Sequence, residues 1–100
     1  MSEIQNMINT MHKGNIEAIT KGVTSRVPIV ALNAIVAGTN YNVRSNAFIE
    51  GVWKATESDE RVLGVPLNAF AAASLHLLGE KKYSGKDTII ITMIDAKLKM

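Results

Sequence analysis

The chain has 100 residues, of which 47% are hydrophobic and 20% charged, and it contains no cysteine. This length and composition predict a single domain over residues 1–100, and they exclude a disordered chain, a disulfide scaffold and a zinc–thiolate site. A formal net charge of +2 gives little support for nucleic-acid binding, since such domains usually carry many more basic side chains on one face.

The N-terminal residues predict two short helices. Ser2 and Gln5 fit a capping box, and Gly14 fits the left-handed residue that ends a helix. Asn15 then fits the N-cap of the second helix. Between the first cap and Gly14, apolar residues recur at helical spacing: Ile4, Met7, Ile8 and Met11.

Two further helices are expected before residue 56. Ser25 fits an N-cap, and residues 27–37 are apolar on nearly every side, which indicates a buried helix that Gly38 ends. Asn42 is expected to begin the fourth helix. Its apolar face consists of Val43, Ala47, Phe48, Val52 and Trp53.

The second half of the chain begins with a polar loop. Residues 56–61 are expected to form this loop with one helical turn, and residues 64–66 to begin a helix that Gly79 ends. The apolar stripe of that helix comprises Leu67, Phe70, Ala71, Ser74, Leu75 and Leu78.

Residues 88–94 are rich in β-branched side chains, which suit a strand. The same segment fits a helix with Asp87 as N-cap and Lys97 and Lys99 near its C-terminal end. We expect the helix, because a lone strand in a helical chain would leave its backbone groups unpaired.

Two similar steps, at residues 27–29 and 65–67, open Ala-rich helices at an offset of 38 residues. A period of about 40 residues with two helices per unit is typical of helical solenoids. Together with the Asn42-Val43-Arg44 step, residues 27–98 resemble a degenerate pair of HEAT-type repeats. The expected fold is all-α with five to six short helices, either as a HEAT-like helix-pair stack or as an irregular helical bundle.

The sequence contains no pattern typical of an active site. His12 and His76 lack a carboxylate at a ligand-like helical offset, and the acidic cluster Glu57, Asp59 and Glu60 suits the start of a helix. No phosphate-binding glycine loop or nucleophile elbow is present. We therefore expect no enzyme activity, no catalytic residues, no cofactor and no metal ion.

The expected function is a non-enzymatic protein–protein interaction module, such as a small adaptor, inhibitor or immunity-type protein. Self-association as a homodimer through the third or the C-terminal helix is a further expectation, as is a cytoplasmic location without a membrane span. The residues expected to contact a partner are Asn40, Tyr41, Asn42, Arg44, Trp53 and Tyr83.

The alternative function is a small DNA-binding regulator. Residues 31–55 contain an apolar helix, a glycine four residues after Ala34 and a second helix that opens with Arg44, which together resemble a helix-turn-helix. The second helix is largely apolar, so protein binding is the first expectation.

Overall fold

The computed structural model describes residues 3–80 and 85–96, which form six α-helices and one short β-hairpin. The predicted all-α class with five to six short helices is confirmed. No helix within these ranges has the length and hydropathy to cross a lipid bilayer. The elements are α1 (Glu3–His12), α2 (Ile16–Val23), α3 (Pro28–Asn40), α4 (Asn46–Ala55), β1 (Arg61–Val62), β2 (Val65–Pro66), α5 (Leu67–Leu77) and α6 (Thr88–Asp95).

Helix α3 lies at the centre of the core. Its residues from Val30 to Gly38 are all buried, as their apolar character on every side of the helix requires. Helices α1, α2 and α5 pack on it, and β1 also contacts it. Helix α3 is thus covered by other elements of the chain, and the expected self-association stays a prediction.

The other helices pack on one another in pairs: α1 on α2, α2 on α4, and α4 on α5. Helix α6 packs on α5. Membership of the HEAT family stays a prediction.

The two helices that follow the Val-Pro steps, α3 and α5, pack on each other. A partly buried hydrogen bond joins them, with 2.6 Å between the hydroxyl oxygens of Thr39 and Ser74. Thr39 donates its proton to the carbonyl of Ile35, so the Ser74 hydroxyl is the donor between the helices.

Four of the helix-terminal residues predicted from the sequence are confirmed. Asn15 caps α2 by accepting from the Ala18 amide, and Asp87 caps α6 by accepting from two amides of its first turn. Gly14 and Gly79 follow α1 and α5 with φ of +86° and +77°. Residues 88–94 are therefore helical, as expected, whereas Ser2 of the predicted capping box lies outside the described residues.

The predicted start of α3 was two residues early. Its N-cap is Val27, with Pro28 as the first helical residue. The Ser25 hydroxyl accepts a hydrogen bond from the Val27 amide at 3.1 Å, so Ser25 shapes the preceding turn and does not cap the helix.

The boundary between α3 and α4 was also wrong. Gly38 lies inside α3, where the Phe48 ring occupies the space that a Cβ would need. The helix ends at Asn40 with Tyr41 as its C-cap, and the next residue, Asn42, has φ of +56° and donates its amide to the Thr39 carbonyl at 3.1 Å. The cap of α4 is Ser45, which accepts from the Phe48 amide.

Residues 56–60 form turns and irregular structure, as predicted, but a hairpin over residues 61–66 replaces the helix start expected at residues 64–66. Arg61 pairs with Pro66 and Val62 with Val65 in antiparallel register. The two connecting residues, Leu63 and Gly64, have φ of +52° and +82°, as in a type I′ turn. Helix α5 consequently begins at Leu67 and not at residues 64–66.

Candidate protein-docking surface

The hairpin is fixed to the body of the protein at its base. The Val62 side chain is buried, and β1 packs on α3. The Leu67 amide donates to the Glu60 carbonyl at 2.9 Å, and the Arg61 guanidinium donates to the Gly64 carbonyl at 3.0 Å. These bonds hold the turn in one conformation, with its tip directed into solvent.

Leu63 occupies that tip and is 92% exposed, far more than the other exposed large hydrophobic residues of the described chain. Its positive φ costs roughly 1–2 kcal/mol for a residue with a Cβ, whereas Asn or Gly adopts this conformation readily. Neither burial nor turn preference accounts for a leucine at this position.

Helix α6 lies beside the hairpin. Its Ile90 is buried against the core, while Ile89 and Ile91 remain 44% and 41% exposed. Residues four apart share a helix face, so Ile89 and Met93 lie together on one flank and Ile91 lies on another. An eight-residue helix has little stability alone, so α6 depends on packing against α5.

A groove of about 250 Å³ separates the hairpin from α6. Its volume is smaller than the roughly 300–1,000 Å³ typical of small-molecule sites. The apolar side chains in its wall come from both elements, and we call them, together with Leu63, the hairpin–α6 surface. The groove is lined by Gly64, Val65, Pro66, Thr88, Ile89, Thr92 and Met93.

Two other depressions have a different character. One of about 240 Å³ lies between α1 and α2, beside the exposed Glu17–Lys21 ion pair of 3.1 Å. The other, of about 290 Å³, lies between α2, α4 and α5. Its hydroxyl groups from Thr24, Ser25 and Ser58 bond to the local backbone, so it offers no unpartnered hydroxyl in the wall.

Four of the residues predicted from the sequence to contact a partner lie in the turn between α3 and α4. Asn40, Tyr41, Asn42 and Arg44 are all exposed, and the Arg44 guanidinium donates to the Asn42 side chain at 3.1 Å. Tyr41 also has a structural role, because its ring packs on Gly14 and its hydroxyl donates to the His12 carbonyl at 3.0 Å.

The remaining two predicted contact residues do not join this turn. Trp53 is 40% exposed and lies in the last turn of α4, about 10 Å along the helix from its first residue, Asn46, at roughly 1.5 Å per residue. Tyr83 lies outside the described residues.

The helix-turn-helix interpretation of residues 31–55 stays a prediction. Helix α4 packs on α2 and α5, and its exposed residues include the acidic Glu50 as well as Lys54. A negative side chain on this face opposes close approach to phosphates.

Sequence reasoning missed the hairpin and therefore missed Leu63. The only local signal of a turn lies in residues 62–65, where Leu63 and Gly64 stand between two valines. Type I′ turns are usually recognised by Asn-Gly or Asp-Gly, and Leu-Gly is not such a pair. Among the described residues, no group of three or more His, Cys, Asp or Glu side chains could hold a metal ion.

Comparisons with known proteins add no relative. The chain matches no protein family, and no curated protein or solved structure is similar to it at a significant level.

Proposed function

We propose that this chain is a non-enzymatic protein-interaction module and that its contact face is the hairpin–α6 surface. The observation that carries the proposal is Leu63, which combines 92% exposure with a positive φ. When a residue has a strained backbone conformation that contributes nothing to stability, a functional role is the usual reason for it. A leucine held out in water gains free energy only when a partner covers it.

The groove beside Leu63 supports a macromolecular ligand. Its volume suits one or two apolar side chains better than a free small molecule. Anchor residues of interfaces are often protruding side chains beside an apolar depression. Such an anchor contributes most to the binding free energy when the surrounding contacts exclude water. A cytoplasmic location remains part of the proposal and is tested by fractionating the source cells.

Site-specific cross-linking tests this proposal. A photo-reactive phenylalanine analogue is placed at Leu63 and, as a control, at Ile16, which is 59% exposed on α2 and does not line the groove. We expect a protein adduct from position 63 and not from position 16. The adduct partner is then purified and titrated against the full chain by calorimetry.

The titration compares three variants. Leu63→Asn should weaken binding by about 30-fold, the effect of losing one interface anchor, while Ile16→Asn should leave it unchanged. Arg44→Ala tests the rival surface between α3 and α4. Weaker binding in Arg44→Ala with no effect of Leu63→Asn would move the contact face to that turn and contradict the proposal.

A further inference from the structure

We infer that a second surface of this protein binds single-stranded nucleic acid. It lies where the turn between α1 and α2 meets the turn between α3 and α4, and we call it the turn surface. The side chains that form it are all exposed: Lys13, Asn40, Tyr41, Asn42 and Arg44. It shares no residue with the hairpin–α6 surface, so the inference goes beyond the proposed function and does not depend on it.

Tyr41 joins the two turns. Its hydroxyl donates to the His12 carbonyl at 3.0 Å, and one edge of its ring lies against Gly14. The rest of the side chain is open to solvent, since Tyr41 is 52% exposed. A ring that is already held in place loses little conformational freedom on binding, and exposed aromatic rings are the platforms on which unpaired bases stack.

Two cations flank Tyr41. Lys13 precedes Gly14, on which the ring packs, and Arg44 follows Tyr41 in the second turn. The Arg44 Nε donates to the Asn42 side chain at 3.1 Å, which orients the guanidinium and leaves its terminal nitrogens without a partner among the described residues. No carboxylate in the described ranges forms an ion pair with either cation. Both can therefore bind phosphate oxygens.

The small net charge of the chain conceals an uneven distribution. Residues 4–16 and 24–49, which supply the two turns, contain no Asp or Glu. Between these segments, Glu17 is paired with Lys21 at 3.1 Å. The acidic cluster at residues 57–60 follows the far end of α4, a helix about 15 Å long. Over that distance salt screens its effect on the turn surface, because the Debye length is about 8 Å at physiological ionic strength.

The helix dipoles do not reverse the sign of this surface. Helices α1 and α3 end at the two turns, and α2 and α4 begin there, so two negative and two positive helix ends offset one another. The sign is consequently set by Lys13 and Arg44. Glu50 is the first acidic residue after Arg44, and it lies in the second turn of α4.

The chemistry of the surface favours a single nucleic-acid strand over an acidic peptide or a duplex. An acidic peptide would use the cations alone, whereas bases can also stack on Tyr41 and bond to the amides of Asn40 and Asn42. Val43, the apolar residue of the second turn, is buried and provides no pocket for peptide side chains. The bases of a duplex are already stacked on one another, so an isolated ring needs an unpaired strand.

Fluorescence anisotropy tests the inference with labelled oligouridylate and oligothymidylate of roughly 10 nucleotides, a length within single-strand site sizes. Two phosphate contacts place the dissociation constant on the order of 100 µM, at the weak end of non-specific binding. The logarithm of the association constant should fall with the logarithm of salt at a slope of about −1.4, which is about sevenfold between 50 and 200 mM. Both strands should bind, and any difference identifies RNA or DNA as the source.

Lys13→Gln and Arg44→Gln should each reduce the salt slope to about −0.7, because one phosphate contact is lost. Arg26→Gln is the matched control. Arg26 is exposed and its replacement removes the same charge, but it precedes α3 and so lies about 20 Å from the turn surface along that helix. If Arg26→Gln lowers the affinity as much as Arg44→Gln does, binding follows net charge alone and the inference is overturned.

Two substitutions of Tyr41 isolate the ring. Tyr41→Phe loses the hydroxyl bond but keeps the ring, and its affinity should stay within about twofold of the original. Tyr41→Leu loses both and should bind about 10-fold more weakly, the effect of one stacked base. The lost hydroxyl bond is common to both variants, so their difference reports stacking. Far-UV circular dichroism checks that both remain helical, and equal affinities would contradict the inference.

A polyglutamate peptide and a duplex of the same length complete the test, and both should bind more weakly than the single strand. A peptide bound as tightly, with no effect of Tyr41→Leu, would assign the surface to an acidic protein segment and overturn the inference. Absence of single-strand binding at about 1 mM protein would overturn it as well. Cross-linking from position 63 is independent of these results, so each proposal can fail alone.

Discussion

The first and last helices of the described chain, α1 and α6, are attached to the core in different ways. Each has one residue in the core, Met11 in α1 at 0% exposure and Ile90 in α6 at 9%. Helix α1 packs on both α2 and α3, whereas α6 packs on α5. Helix α1 therefore packs on more of the described helices than α6 does.

Hydrogen bonds add to the attachment of α1. The imidazole Nε2 of His12 lies 2.8 Å from the side-chain oxygen of the buried Asn33, and Tyr41 donates to the His12 carbonyl. The Asn33 amide nitrogen donates to the Ile29 carbonyl at 2.8 Å, so its oxygen accepts and His12 Nε2 is the donor. Helix α1 is thus held by directional bonds as well as by apolar contact.

Helix α6 instead has an apolar groove on the flank next to the hairpin. Within the described residues, α1 is thus held by two helices and by hydrogen bonds, whereas α6 leaves apolar surface exposed beside the hairpin. Two apolar side chains of α6, Ile89 and Ile91, remain 44% and 41% exposed.

The largest difference is expected from truncating the two core residues. Met11→Ala should lower the free energy of unfolding by about 3 kcal/mol, because a fully buried side chain leaves a cavity. Ile90→Ala should cost about 2 kcal/mol, since its surroundings in the last described helix can relax. Urea unfolding followed by circular dichroism measures both, and an equal or larger cost for Ile90→Ala would contradict the comparison.

Removing the Tyr41 side chain should loosen α1 next. Tyr41→Ala is expected to cost about 1.5 kcal/mol, because both the ring contact with Gly14 and the bond to the His12 carbonyl are lost. Tyr41→Phe removes only the bond and should cost about 0.5–1 kcal/mol. Asn40→Ala, on the exposed neighbour, should stay within about 0.5 kcal/mol; a cost matching that of Tyr41→Ala would assign the effect to the turn.

A double-mutant cycle measures the polar link between α1 and α3. His12→Ala and Asn33→Ala should be less than additive, with a coupling of about 1 kcal/mol. The cycle of His12 with Asn40 serves as the control, because these two side chains share no hydrogen bond in the structure. Additive costs for His12 and Asn33 would show that the 2.8 Å contact contributes nothing to stability.

The smallest expected effect is a stabilisation. Leu63→Asn should raise the free energy of unfolding by about 0.5–1 kcal/mol in dilute solution, because Asn adopts a positive φ at lower cost. Leu63→Ala keeps the strain and should change stability little. Thermal unfolding at low micromolar concentration compares them, and a destabilised Leu63→Asn variant would show that Leu63 has a structural role that the fold does not reveal.

Much of the helical architecture follows from the sequence. Asn15, Asp87, Gly14 and Gly79 were correctly identified because capping is local chemistry between a side chain or a backbone angle and the nearest orphan groups. The burial of the apolar segment in α3 was also predicted from the sequence, because a helix that is apolar on every side has no face suited to water.

Packing between distant residues decided the remaining boundaries. Gly38 has the composition of a helix end, yet α3 continues through it because the Phe48 ring needs close approach to its backbone. The helix ends at Asn40, and the left-handed residue that follows the C-cap is Asn42, which tolerates a positive φ better than most residues with a side chain do. A contact made by a residue ten positions away leaves no mark in the local pattern.

The candidate site was decided in the same way. The sequence by itself determined that the chain would form short helices around a buried central one, since apolar periodicity and capping act within a few residues. Only the tertiary structure placed Leu63 on a hairpin tip beside α6, because the anchoring contact of β1 with α3 joins segments distant in the chain. Local chemistry therefore fixes the elements, and long-range packing selects which apolar side chains are left for a partner.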